Sequence, residues 1–322
     1  MLPDIMIRRT ASLLAVLLAA MFVLCATPLA QAAVCNVDVG SLDFGTVDAV
    51  GNAAAATSTD VSIQCDGITP QTETITLCGN FGAGTGGASG GLRHSTAPGG
   101  VLDFVLYTTG GHTTPWGSVD APSLGDPFRI ELEVTGTSAS RTLQLHGLVP
   151  AGQATAVAGQ YQSSFTTADA VFVYAEGDLD CAAPSGGANA TAPFAMSATV
   201  IANCLLETDS LDFGTAGLIG DNIDATTDLA LTCTSGTGYS ISIGGGGAGD
   251  PEQRLLQSGD HSVRYDLYSN APRTQPWGTA PGSIVTGDGD GTEHIYTVYG
   301  RIPPQPAAAG SYTDTVVVTI TY

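Results

Sequence analysis

Near the C-terminal end, Asp288-Gly289-Asp290-Gly291-Thr292-Glu293 places three carboxylates on one glycine-rich turn. Oxygen ligands of that kind suit calcium, but the ligand spacing of a complete calcium loop is absent, and the stretch reads as an acidic turn. Five histidines, at 94, 112, 146, 261 and 294, follow no metal-ligand spacing. The abundant Asp and Glu residues show no pattern that would set two carboxylates in opposed environments for acid–base work. The sequence therefore predicts no metal, no cofactor and no enzymatic activity. The covalent chemistry left to the chain is that of cysteine. Seven are present, at 25, 35, 65, 78, 181, 204 and 233.

Compartment decides what those cysteines do. Arg8 and Arg9 precede an apolar run, 11–25, and then Ala30-Gln31-Ala32. A basic start, a short apolar core and small residues at a cleavage site make a secretory signal peptide over 1–32. The run is shorter than the ~20 residues a membrane span needs. Cys25 leaves with this leader, and the even number that remains in an exported chain implies disulfides. The chain holds no lysine and a formal net charge of −21. Nucleic acid is excluded as a partner, because phosphate binding requires clustered positive charge.

The elements that position the cysteines come in two copies. Ser41-Leu42-Asp43-Phe44-Gly45-Thr46 recurs letter for letter at 210–215. Leu106-Tyr107 with Pro115-Trp116-Gly117 recurs as Leu267-Tyr268 with Pro276-Trp277-Gly278, and Gly147-Leu148-Val149-Pro150 as Gly300-Arg301-Ile302-Pro303. Landmarks recurring in one order identify a tandem duplication. The repeat makes Cys35–Cys65 and Cys204–Cys233 equivalent pairs and leaves Cys78 to pair with Cys181. Short alternating runs divided by glycine-rich turns predict an all-β chain, two β-sandwiches in series. Between them, 182–193 has no apolar pattern and reads as a linker. It leads into Phe194, Met196, Ala198 and Val200, whose period of two marks a strand with one buried face.

The second copy, with Cys204, Leu211-Asp212-Phe213-Gly214, Tyr239-Ser240-Ile241-Ser242-Ile243, Val263 to Tyr268, Trp277-Gly278, Val298 to Pro303 and the terminal run Gly310 to Tyr322, resembles the spore coat protein U domain. That domain is shared with subunits of archaic chaperone–usher pili of the Csu type. The first copy matches at its landmarks and departs at Cys78, Cys181, His146 (Tyr299 in the second copy) and a more polar last strand. The resemblance implies immunoglobulin-like, pilin-type sandwiches, the second lacking its last strand. It implies a periplasmic pilus chaperone, an outer-membrane usher and a neighbouring pilin as partners, the neighbour supplying a strand to an open sheet edge. It places the protein in the periplasm in transit and then in a surface fimbrium, or secreted.

On this reading the domains are an N-terminal adhesin domain over 33–181, a linker and donor-type strand over 182–203, and a C-terminal pilin domain over 204–322. The strand 194–201 either completes the first copy or opens the second. Tyr312, Val316, Val318, Ile320 and Tyr322 form one face of a final strand, either an acceptor edge or the end of a complete sandwich. A polymerising subunit needs a donor strand of roughly ten residues before its first cysteine; with the leader removed, Ala33 and Val34 alone precede Cys35. The expected role is therefore a tip adhesin attaching cells to an abiotic or host surface in biofilms. The alternatives are a coat or shaft component and a surface lectin. Family tip subunits attach through apolar loops at the far end, which here nominates Ile68, Trp116, Leu148, Val149 and Val157. The recurrence of Trp116 as Trp277 offers a framework role instead, and 151–160 is the stretch least bound to the repeat.

Overall fold

The computed structural model describes residues 32–51 and 53–322. The predicted signal peptide lies outside the described residues except for Ala32. No helix among the described residues is long and apolar enough to cross a membrane. Strands and turns make up the described residues, interrupted by two single turns of 3-10 helix.

The first copy contains β1 (Val34–Val39), β2 (Leu42–Val47), β3 (Ala55–Asp66), β4 (Thr74–Phe81), β5 (Ala88–Ser89), β6 (Leu92–Ala97) and β7 (Gly100–Tyr107). It continues through β8 (Phe128–Glu133), β9 (Ser138–Val149), β10 (Gly159–Phe165), β11 (Ala170–Glu176), β12 (Ala188–Thr191) and β13 (Phe194–Val200). One long sheet runs β1-β3-β9-β7-β6-β10-β13-β2, with β5 on the edge of β6. The facing sheet is β12-β11-β4-β8. Alternation puts the core between them: Val61, Ile63 and Cys65 of β3 are buried while Ser62, Gln64 and Asp66 face water.

The second copy contains β14 (Cys204–Thr208), β15 (Ile223–Cys233), β16 (Gly238–Ile243), β17 (Leu255–Ser258), β18 (His261–Arg264), β19 (Asp266–Tyr268), β20 (Val285–Asp288), β21 (Glu293–Ile302) and β22 (Val318–Thr321). They form the sheets β14-β15-β21-β19, β20-β16-β22 and the hairpin β17-β18. The long sheet of the first copy is thus divided here, and no paired strand of the second copy stands where β13 and β2 stand in the first.

Each sandwich is tied by a disulfide between its first strand and the long strand paired with it, Cys35–Cys65 across β1 and β3 and Cys204–Cys233 across β14 and β15. Cys78–Cys181 joins β4 to the start of the connecting segment across 103 residues. Such cross-links contribute roughly 2–4 kcal/mol each. The connecting segment departs from the expected linker. Its residues 188–191 form β12, antiparallel to β11, and Ala190 and Ala192 are buried. Small side chains let this piece lie close on the sheet, and an alanine-rich run carries too little apolar contrast to announce a strand.

β13 closes the first core. Phe194 stacks on Phe165 with ring centroids 4.3 Å apart and lies 5.3 Å from Phe81. Replacing Phe194 by Ala removes this contact, and the first copy is expected to lose roughly 3–5 kcal/mol in urea unfolding, with Ser197→Ala on the solvent side as a near-neutral comparison.

Candidate functional site

The site with an unequal history in the two copies is the slot between the strand after Leu42 (or Leu211) and the strand after Gly159 (or Gly310). In the first copy the slot is filled. β13 runs antiparallel to β10, with Phe194 opposite Phe165, Met196 opposite Ser163, Ala198 opposite Tyr161 and Val200 opposite Gly159. Its other edge runs parallel to β2, with Met196 beside Leu42 and Val200 beside Val47. Phe194, Met196, Ala198 and Val200 are all buried, Met196 completely. Ser197 Oγ donates to Asp43 Oδ1 at 3.0 Å on the outer face.

In the second copy the same positions are open. Leu42 and Phe44 are buried, whereas Leu211 and Phe213, in an identical hexapeptide, are half-exposed and form no strand. Tyr161 and Phe165 are buried; their equivalents Tyr312 and Val316 are half-exposed. The equivalence is fixed by one repeated bond: Tyr161 Oη donates to Val157 O, and Tyr312 Oη donates to Ala308 O, both at 2.9 Å. Leu211, Phe213, Ile219, Tyr312 and Val316 pack partly against the second core and leave an apolar trough with unpaired backbone on either side.

The final run is not the single strand expected from its alternation. Thr313 bridges Gln257, and then β22 crosses to the other sheet and pairs with β16. Val318 and Ile320 therefore approach the core from the opposite layer, and Tyr322 is 56 % exposed beside Asn203 rather than in the trough. The physical reason is a change of sheet at Val317, which the first copy makes through the turn 166–169 between β10 and β11. An alternating pattern runs through such a crossing unaltered.

The residues nominated for surface attachment need correction. Ile68, Trp116 and Val149 are buried, at 1 %, 0 % and 1 % exposure, and Leu148 pairs within the sheet with Ala56 and Val105. None presents an apolar patch. Val157 faces the second copy: it bridges Ser235, and Ala158 N donates to Ser235 O at 3.2 Å. The end of the first copy remote from that contact is polar. Its loop 67–73 exposes Thr69, Gln71 and Glu73, with Gln71 in the left-handed region at φ 87. Glu176 anchors this loop, accepting from Thr69 N, Thr69 Oγ1 and Thr72 Oγ1. Burial opposes ionisation of Glu176, but these hydrogen bonds outweigh it and hold its pKa below the usual value.

Sequence reasoning passed over two constellations. The first is a buried arginine clasp in each copy. Arg93 donates through Nε to Gly82 O at 2.7 Å, and through Nη2 to Phe81 O at 2.6 Å and Trp116 O at 2.8 Å. Arg254 repeats this with Gly244 O, Ile243 O and Trp277 O. Each tryptophan completes the clasp through its indole, Trp116 to Gly79 O and Trp277 to Ile241 O. Burial pushes the Arg93 guanidinium down to about 9, so it stays charged at neutral pH. The signal was available: both arginines lie 23 residues before the repeated tryptophan.

The second is a hydrogen-bonded chain, Ser89 Oγ to His94 Nε2 at 2.9 Å and His94 Nδ1 to Asp103 Oδ1 at 2.6 Å. Ser89 stands in Gly87-Ala88-Ser89-Gly90-Gly91, a Gly-x-Ser-x-Gly spacing. Hydrolysis also needs a cleft and preorganised oxyanion donors. Ser89 is instead exposed on the open tip of β5, outside the shallow depressions over Asn36, Ser62 and Arg141 and over Gln71 and Glu133. The chain staples the β5–β6 hairpin to β7.

Arg93→Ala is expected to destabilise the first copy by at least ~2 kcal/mol in denaturant unfolding, because three buried carbonyls lose their donor. For Glu176 the folded pKa lies below the unfolded one, so its contribution is complete above the unfolded carboxylate value and lost as pH falls through the folded value. Backbone amide exchange at Thr69 should accelerate over that acid window, and Glu176→Gln should exchange fast throughout.

Comparisons with known proteins agree with this geometry. The chain is 29% identical over 169 residues to Protein U of Myxococcus xanthus, covering 47% of this chain and 94% of that protein. It superposes on the crystal structure of the CsuC–CsuE chaperone–tip adhesion subunit pre-assembly complex from the archaic chaperone–usher Csu pili of Acinetobacter baumannii. That match has a TM-score of 0.51 at 15% identity and covers 90% of this chain and 100% of that one. The CupB6 tip adhesin of Pseudomonas aeruginosa gives a TM-score of 0.40 at 14% identity, over 90% of this chain and 95% of that one. The fold is that of a chaperone–usher pilus subunit. The Spore Coat Protein U domain matches residues 20–168 and again residues 190–319, and the chain belongs to that family.

Proposed function

We propose that this protein is the tip adhesin subunit of an archaic chaperone–usher pilus. The second copy accepts a donor strand from the next pilin, and the first copy is presented to the surface being colonised. One observation carries the reading: the same hexapeptide lies in a paired strand with Leu42 and Phe44 buried in the first copy, and in unpaired backbone with Leu211 and Phe213 half-exposed in the second. The first slot is occupied by a strand of the chain itself, so a single slot is left for a neighbour. The second family match starts at residue 190, before β13. By sequence β13 thus leads the second copy, while by position it completes the first. Within one chain this is the relation that donor-strand exchange creates between two.

A periplasmic chaperone would cover the trough before assembly, since an apolar slot with a free backbone edge aggregates when bare. The usher would then exchange that chaperone for the neighbouring pilin. The polar loop 67–73 lies at the end of the first copy remote from the second, where a host or abiotic surface would be met. Its anchoring by Glu176 and its strained Gln71 suit a preformed contact.

Immunogold labelling of the producing cells with antibody against the first copy is expected to mark fibre ends. Gold along the fibres would replace the tip role by a shaft or coat role, and fibres without gold would overturn the reading. Val316→Arg places a charge in the trough and is expected to remove the protein from fibres while leaving the first copy folded.

A further inference from the structure

The contact between the two copies is more than β13. Asn203 Nδ2 donates to Asp48 Oδ2 at 2.8 Å, and Ile201 N donates to Val47 O at 3.2 Å. The loop 154–158 meets the disulfide end of the second copy through Ser235, and a Cβ at Gly291 would lie 2.0 Å from Ala154 O. Two loops of the first copy, 47–50 and 154–158, therefore form a collar around the mouth of its slot, and the head of the second copy sits on that collar.

The duplication supplies the same two loops at the mouth of the open slot. By the repeat, Asp48-Ala49-Val50 corresponds to Gly217-Leu218-Ile219. Ala154 to Ala158 corresponds to Gln305 to Ala309, anchored by the repeated tyrosine bond. The two loops are tied together, Gln305 N donating to Ile219 O at 3.1 Å. Exposure differs sharply. Ala49 and Val50 are 5 % and 7 % exposed, whereas Leu218 is 98 % exposed, more than any other large apolar side chain described. Pro306, Ala307, Ala308 and Ala309 are exposed as well. This collar carries no charge where the first carries Asp48. Ala49 is held in the core of the first copy, while its neighbour Asp48 bonds Asn203 of the segment that opens the second. A lone exposed leucine needs no explanation, but one on the loop whose counterpart carries the contact between the copies does.

We infer that Leu218 and the Pro306–Ala309 turn form a second docking surface, beside the slot, for the disulfide end of the following subunit. The occupant is a domain of this same fold, seated as the second copy is seated on the first. It presents an apolar side chain where this chain presents Asn203, because Gly217 offers no carboxylate to an amide. The strand in the slot then supplies attachment, and the collar fixes the angle between successive domains and keeps water from the mouth of the trough.

The inference rests on the proposed assembly through the second copy, and its test separates the two. Hydroxyl-radical footprinting compares Leu218 in the purified protein and in isolated fibres, with Ile295 on the outer face of β21 as the reference. Covering a nearly fully exposed side chain should lower its modification roughly tenfold, while Ile295 changes less than about twofold. Equal modification of Leu218 in both states would overturn the collar and leave the slot reading intact. Absence of the protein from fibres would instead overturn the slot reading, and the collar with it. Leu218→Asp gives a second measure. The variant should still enter fibres and be released from them several-fold faster on warming; unchanged release would count against the collar.

Discussion

Backbone hydrogen bonding at one sheet edge governs this molecule. The strand after Ser41 has a single neighbour, β13, and without that neighbour the same residues adopt no strand at all. A sheet edge carries donors and acceptors that must meet water or a partner, and the apolar faces beside them cannot stay wet without cost. The first copy satisfies both demands with a strand from further along its own chain. The second copy, built from the same plan, keeps both unmet. The continuity of the long sheet, the burial of Leu42 and Phe44, and the aromatic cluster around Phe81, Phe165 and Phe194 all follow from the presence of β13.

Much of this was written plainly in the chain. The duplication, the all-β class and the family could be read because identical landmarks recur in order and because alternation reports a buried face directly. The pairing of cysteines followed from the repeat. Other features were hidden for physical reasons. A hexapeptide identical in both copies cannot say which copy will pair it, since pairing is decided by a strand elsewhere. The residues 188–191 are strand-forming only because small side chains fit against β11. Ile68 and Val149 are as apolar as any contact residue, and the three-dimensional packing assigns them to the interior, whereas for Trp116 the recurrence as Trp277 already offered the framework role it has. Hydropathy also misplaces Arg93 and Arg254. A guanidinium looks like surface until three carbonyls are found to surround it.

The arginine clasps explain how each sandwich holds its shape where the sheet turns. The consecutive carbonyls of Phe81 and Gly82 and that of Trp116 belong to two segments that converge at one point, and their equivalents do the same around Arg254. A planar cation with donors in a fixed fork can satisfy three such acceptors at once, which no single neutral side chain does. In the second copy, Tyr265 Oη adds a bond to Asp314 Oδ2 at 2.7 Å, close to the trough. The first copy has Phe104 and Ser163 at these positions. The wall of the empty slot therefore carries Tyr265, Asp314 and Val316 where that of the filled one carries Phe104, Ser163 and Phe165.

The Cys78–Cys181 bridge has a mechanical consequence. Tension between the two copies would enter the first through residues 201–203 and pull along the axis of β13, loading its ladder bonds in parallel, in shear. If β13 slipped free, the segment 182–193, at most about 40 Å long at roughly 3.3–3.6 Å per residue, would be drawn taut. It would then stop at a covalent knot in the middle of β4, a central strand of the facing sheet. A linkage built this way can stretch under a sudden tug and recoil when the strain passes, without the rest of the first copy unravelling.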